Sequence, residues 1–160
     1  ISAVRGPCAG AGMSVALSAD MIVASETAFF LQAFKAIGLV PDAGVTYFLP
    51  RIVGRARAME LSMLGERLDA AKALEWGVVN RVVADAELES AAGALAKNLA
   101  AGPTKALALT RDLYWRSEAS TYEEQLNNER WAQRAASRTE DSDEGVRAFI
   151  EKRPTRFTGS

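Results

Sequence analysis

The chain has 160 residues, 49% of them apolar, a formal net charge of −1, one cysteine and no histidine. That length buries a single core, and so balanced a charge gives no purchase for nucleic acid or an anionic membrane. The lone cysteine excludes an internal disulfide, and the missing histidines exclude both a Cys/His zinc cluster and a Ser-His-Asp or Cys-His mechanism built from these residues. No apolar run reaches the length of a membrane span and no signal peptide is visible, so a cytoplasmic protein is expected.

Ile1 to Val4 reads as a buried strand entering a small-residue turn, Gly6-Pro7-Cys8-Ala9-Gly10-Ala11-Gly12, which leads into an apolar stretch ending at Asp20. A turn almost without side chains lets a ligand approach the backbone. The amides that open the following helix point outward with partial positive charge. Both an oxyanion and a phosphate suit that arrangement, but the phosphate reading lacks its residues. Val15 stands where the dinucleotide fingerprint needs a third small residue, and no Lys-Ser or Lys-Thr follows as in a P-loop. For Cys8, a thiol activated by the helix start competes with a small buried filler, and the filler is expected.

Asp20 to Ser25 is rich in β-branched residues and reads as a strand, and Ala28 to Leu31 as another. Leu39-Val40-Pro41-Asp42-Ala43-Gly44 carries a lone carboxylate. Taken by itself, Asp42 is a turn residue that accepts local backbone hydrogen bonds. Ala56, Met59 and Met63 recur at helical spacing, Asp69 is placed to cap a helix closed by Gly77, and Val78 to Val83 returns to strand. Strands alternating with helices predict an α/β core.

From about Leu88 the composition shifts to helix formers. Pro103 suits a first helical turn, Leu109 and Leu113 share a face, and Ser120-Thr121-Tyr122-Glu123-Glu124 holds two overlapping capping boxes. Ser142 is placed to cap a last helix bearing Val146, Phe149 and Ile150. The expected organisation is a core over residues 1–102 and a helical region over 103–160. Trp115, Tyr122 and Trp131 are more large aromatics than three thin helices hide by themselves, unless they pack on the chain's own core.

Several ordered motifs together carry a resemblance. Ala3-Val4-Arg5-Gly6, Ala9-Gly10-Ala11-Gly12, Ser18-Ala19-Asp20-Met21-Ile22-Val23-Ala24-Ser25, Ile37 through Gly44 and Leu49 through Ala58 resemble the crotonase, or enoyl-CoA hydratase/isomerase, superfamily. Ala70 through Val83 and Glu144 through Arg153, with Phe157-Thr158-Gly159, continue the likeness to the end of the chain. The whole-chain likeness runs furthest toward the branch of ring-epoxide isomerases of phenylacetate breakdown, through Gln32-Ala33-Phe34 and Val40-Pro41-Asp42.

That resemblance implies an incomplete ββα spiral core followed by a C-terminal helical region, with trimers or dimers of trimers in the whole protein. It also implies an upstream region, not among these residues, that supplies a second oxyanion amide and a loop for the adenine end of coenzyme A. The chain alone is therefore expected to bind acyl-CoA weakly. The substrate implied is an acyl-CoA thioester, with coenzyme A as part of the substrate and with no further cofactor and no metal. Ala11 would give its backbone N–H to the enolate oxygen, flanked by Gly10 and Gly12.

Hydratases of the family carry glutamates at positions that fall on Ser14 and Phe34 here. Phe34 transfers no proton and Ser14 is a poor base without a partner, so Ser14→Ala is expected to be mild and hydration to be weak. Asp42 falls where double-bond-shifting members place an aspartate, which makes it the expected base of an isomerase. Phe30, Phe34 and Leu39 would raise its pKa by desolvation. Gly10, Gly12, Ser14, Phe30 and Phe34 are the expected substrate contacts. Phe29, Phe30, Phe34, Tyr47 and Phe48 would form a wall for a flat or cyclic acyl group, although core packing explains aromatics equally well. A hydratase and a noncatalytic family member remain as alternatives.

Overall fold

Strand β1 (Ser2–Val4) is followed at once by β2 (Pro7–Ala9), inside the stretch that reads as a turn, because Gly6 between them adopts φ +62° and redirects the chain. Helix α1 (Ala11–Leu17) follows. The order then repeats with β3 (Ile22–Ser25) and β4 (Phe29–Leu31). The first strand of each pair joins one sheet and the second joins another, giving β1-β3-β6 (Arg81–Val83) and β2-β4-β5 (Leu68–Asp69). Ala3 lies opposite Val23 and Cys8 opposite Phe30, both in parallel pairs, while β5 is antiparallel to β4. Parallel neighbours require a crossover, and α1 is the crossover for both pairs. The result is the α/β, ββα arrangement that the resemblance implies.

The structure is a computed structural model that describes residues 1–160, and these form two compact units, Ile1–Ala94 and Leu95–Ser160. In the first unit, all four residues of β3 are buried, as befits the central strand of a parallel sheet. The edge strand β1 buries only Val4 and leaves Ile1 exposed, so the expected buried strand narrows to one residue. Met13, Leu17, Phe30, Val45, Leu49, Leu61 and Leu68 contribute to one apolar cluster.

A 3-10 turn (Ala33–Ile37) leads to α2 (Val45–Val53) and α3 (Arg55–Leu64). The helical period expected for α3 is present but its buried face is different. Ala58 and Leu61 are buried, whereas Met59 and Met63 are exposed. Helix α4 (Ala70–Glu75) starts where expected, with the Asp69 carboxylate accepting from the Lys72 amide at 2.8 Å. Gly77, at φ +77°, turns the chain after it. Only residues 81–83 then form a strand, because the Val78 and Val79 amides donate to the Ala73 carbonyl, at 2.8 and 3.3 Å, and are lost to the ladder.

Helix α5 (Leu88–Ala100) crosses from one unit to the other in sequence, and α6 (Thr104–Ser117), α7 (Tyr122–Ala136) and α8 (Glu140–Glu151) make up most of the second. Pro103 sits at the N-cap of α6, one position before the first turn. Of the two capping boxes one forms: Thr121 Oγ1 accepts from the Glu124 amide at 3.3 Å and the Glu124 carboxylate accepts from the Thr121 amide at 2.8 Å. Ser120 instead donates to the Arg116 carbonyl at 2.9 Å. Thr139, not Ser142, caps α8; its Oγ1 accepts from the Ser142 amide at 3.1 Å, so Ser142 lies inside the helix. Trp115, Tyr122 and Trp131 are exposed, as are Val146, Phe149 and Ile150 of α8. No helix is long and apolar enough to cross a membrane.

Candidate active site

Gly10 sets the start of α1. Its φ of +53° and ψ of −128° are accessible to glycine and strained for any other residue. Its amide donates to the Leu31 carbonyl at 2.9 Å, which ties the helix start to β4, and its carbonyl accepts from the Met13 and Ser14 amides at 3.0 and 3.3 Å, which begins the helix. A Cβ at Gly10 would meet the Phe34 ring at an ordinary 3.9 Å, so backbone conformation rather than space calls for glycine there. Ala11 and Gly12 are exposed at the first turn, where N–H groups have no partner within the helix. At Gly12 a Cβ would meet nothing within 4 Å.

Asp42 lies in the loop that enters α2, followed by Ala43 at φ +50° and Gly44 at φ +87°. Two successive left-handed residues swing the chain sharply into the helix, and for Ala43 that conformation costs about 1–2 kcal/mol. The Asp42 side chain is exposed, but its carbonyl is held from two sides. It accepts from the Val45 amide at 3.2 Å and from the Ser14 hydroxyl at 2.9 Å. Ser14 is itself 0% exposed and also approaches the Gly10 carbonyl at 3.5 Å. One buried hydroxyl thus joins the helix that begins with Gly10 and Ala11 to the turn that presents Asp42.

The aromatic side chains divide. Phe34 is buried beside Gly10, and Tyr47 and Phe48 meet edge to face at 5.4 Å. Phe30, at 0% exposed, is part of the core cluster and offers no surface to a ligand, so for this ring core packing is the explanation rather than a substrate contact. Phe29 lies under the Arg67 guanidinium at 4.3 Å. Leu39 is exposed, so the apolar enclosure expected around Asp42 from Phe30, Phe34 and Leu39 is not built. Cys8 is the buried filler: desolvation pushes its thiol up from 9.0 to about 11. The Ser14 to Asp42 bond was not legible, because no local pattern links a helical serine to a carbonyl 28 residues away.

This spiral of strand pairs has counterparts among known proteins. A family model described as enoyl-CoA hydratase/isomerase matches residues 1–160. The chain belongs to the enoyl-CoA hydratase/isomerase family. It is 46% identical to the 1,2-epoxyphenylacetyl-CoA isomerase of Escherichia coli (strain K12), over 99% of this chain and 61% of that protein. It is 37% identical to the trans-2-decenoyl-[acyl-carrier-protein] isomerase of Streptococcus mutans, over 99% of this chain and 60% of that protein. Among solved structures, an enoyl-CoA hydratase from Polaromonas sp. JS666 superposes with a TM-score of 0.93 at 36% identity, covering 98% of this chain and 61% of that one. The chain therefore spans about three fifths of the length of the family members it matches. Family relatives named as isomerases and as hydratases share the fold, so the reaction has to be argued from the site.

Proposed function

We propose that, in the whole protein, this chain carries the base and one oxyanion amide of an acyl-CoA isomerase. The Asp42 carboxylate takes a proton from a carbon of the acyl chain, the C–H pair moves into the conjugated system, and negative charge collects on the thioester oxygen. The Ala11 N–H donates to that oxygen; one such donor is worth roughly 3–4 kcal/mol in mutational series. The carboxylic acid formed on Asp42 then returns its proton at another carbon, so nothing is gained or lost and the double bond has moved. In a ring-epoxide substrate the electron pair of the same enolate forms a C=C bond next to the thioester as the epoxide C–O bond breaks, and the alkoxide released takes the proton held by Asp42. A single base suffices for such a shift, whereas addition of water is helped by a second carboxylate.

The observation that carries this reading is the pairing of one exposed carboxylate, on a turn tied to α1, with Ser14 and Phe34 at the positions where the resemblance puts the hydratase glutamates. The 46% identity to a protein named as an isomerase of an epoxide acyl-CoA supports it. The substrate class is an unsaturated or aromatic-derived acyl-CoA, with coenzyme A as part of the substrate and no separate cofactor. A trimer or dimer of trimers and a cytoplasmic location complete the proposal.

The test is product analysis of the intact protein in deuterated water, with unsaturated and ring-epoxide acyl-CoA substrates. Double-bond transfer or ring opening, with deuterium entering next to the thioester, supports the isomerase. A 3-hydroxyacyl-CoA as the main product overturns it in favour of a hydratase, and no turnover at all favours a noncatalytic member.

A further inference from the structure

We infer that Ser14 is a positioning residue, whose buried hydroxyl fixes the turn that aims Asp42. The inference rests on the reading of Asp42 as the base. It revises the expectation that loss of this hydroxyl is mild: that expectation considered only whether Ser14 handles a proton, and the structure gives it another task.

Three observations carry it. The Ser14 side chain is 0% exposed, so its hydroxyl has no solvent to bond, and it donates to the Asp42 carbonyl at 2.9 Å. The Asp42 side chain is exposed and no hydrogen bond to its carboxylate within the chain restrains it, so its aim is set by the backbone that bears it. That backbone is unfavourable on its own account at Ala43, a non-glycine residue held at φ +50°, and strained turns persist only when their surroundings over-determine them. Two donors meet at the Asp42 carbonyl: the Val45 amide comes from the turn's own helix, and the Ser14 hydroxyl is the one that ties the turn to α1.

The same hydroxyl lies 3.5 Å from the Gly10 carbonyl, at the N-cap that places the Ala11 amide. Base and oxyanion donor have to be held at a fixed separation for proton transfer and charge stabilisation to act on one enolate. Ser14, on the helix that Ala11 opens and bonded to the Asp42 carbonyl, links the two. The single hydroxyl proton goes to the Asp42 carbonyl, while the helix that carries Ser14 begins at Gly10; a methyl group in its place donates nothing and leaves the turn untied.

The experiment compares Ser14→Ala, Ser14→Thr and Asp42→Asn in the intact protein. Ser14→Ala is expected to lower kcat about 10- to 100-fold, the size of effect that a misplacement near 1 Å produces, with KM within about twofold. It is also expected to speed hydrogen exchange of the Val45 amide, which donates to the same carbonyl. Ser14→Thr keeps the hydroxyl and is expected to recover most of kcat. If Ser14→Ala does not fold, Ser14→Cys takes its place, since it keeps the volume and offers only a weak donor. Unchanged kcat per folded molecule, or unchanged Val45 exchange, overturns the inference while a dead Asp42→Asn leaves the base in place. An active Asp42→Asn removes the base assignment itself, and the positioning role falls with it.

Discussion

Arg153 grips Glu144 with two parallel hydrogen bonds, Nη1 to one carboxylate oxygen at 2.6 Å and Nη2 to the other at 2.9 Å. The Arg156 amide adds a third donor at 2.9 Å. One turn earlier on α8, the buried Asp141 accepts from the Thr158 and Gly159 amides at 2.7 and 2.9 Å. Residues 153–160 are thereby folded back on α8 by two carboxylates. The Arg153 hydrogen bonds, followed by that of the Arg156 amide, hold the Glu144 carboxyl down from 4.5 to about 2.

A carboxyl whose pKa is lower in the folded chain stabilises the fold fully above its unfolded pKa and loses that contribution as pH falls through the folded one. The tail should thus stay docked down to pH 4.5 and release as pH approaches about 2. The Arg156 amide chemical shift reports this directly. A midpoint near 2 is expected, with no such titration in Glu144→Gln; a midpoint near 4.5 contradicts the latch.

Cys8 should resist thiol reagents. With its thiol pushed up to about 11 by burial in β2, almost no thiolate exists at pH 8, and the site is closed to a bulky disulfide reagent. Folded protein is expected to remain unmodified over times in which urea-unfolded protein reacts to completion. Rapid labelling of the native state would mean that β2 opens readily.

Gly10 and Gly12, two small residues of one motif, should separate on substitution. Gly10→Ala forces a side chain into φ +53°, ψ −128° and is expected to cost about 1–3 kcal/mol. Gly12→Ala enters open space in the first turn of a helix and should be neutral, or stabilising by up to about 1 kcal/mol. Urea unfolding of the two variants checks the contrast.

Thr139→Ala should cost α8 about 1 kcal/mol, the usual loss of an N-cap, while Ser142→Ala changes little because its side chain does not cap. The two thermal shifts decide between the caps. Their difference also marks where the sequence stops being legible. A helix bearing Val146, Phe149 and Ile150 could be read from spacing, but Thr139 and Ser142 are both good caps, and the choice depends on which residue takes extended backbone.

The same boundary recurs through the chain. Asp69 was legible as a cap because its partner, the Lys72 amide, is three residues away. The alternation of strands and helices was legible because it is periodic. Strand β2 was not, since its pairing with β4 comes from residues about twenty positions on and its own residues look like a turn. The buried face of α3 was not, because Ala58 and Met59 are both acceptable to a core and only packing chooses. In the candidate site, Gly10, Ala11 and Asp42 stand out as residue types, whereas Ser14 reads only as a weak base because its task is a hydrogen bond across two elements.

The role of Asp42 as the base is tested most directly by replacing it with asparagine in the intact protein. Asparagine keeps the size but lacks the basic oxygen, and the side chain is exposed, so the fold and its stability should hardly change. Isomerisation of an unsaturated or ring-epoxide acyl-CoA is expected to fall by about 10²- to 10⁴-fold, and deuterium exchange next to the thioester to fall with it. Turnover and exchange close to those of the unaltered protein would show that Asp42 is a turn residue and would contradict the account.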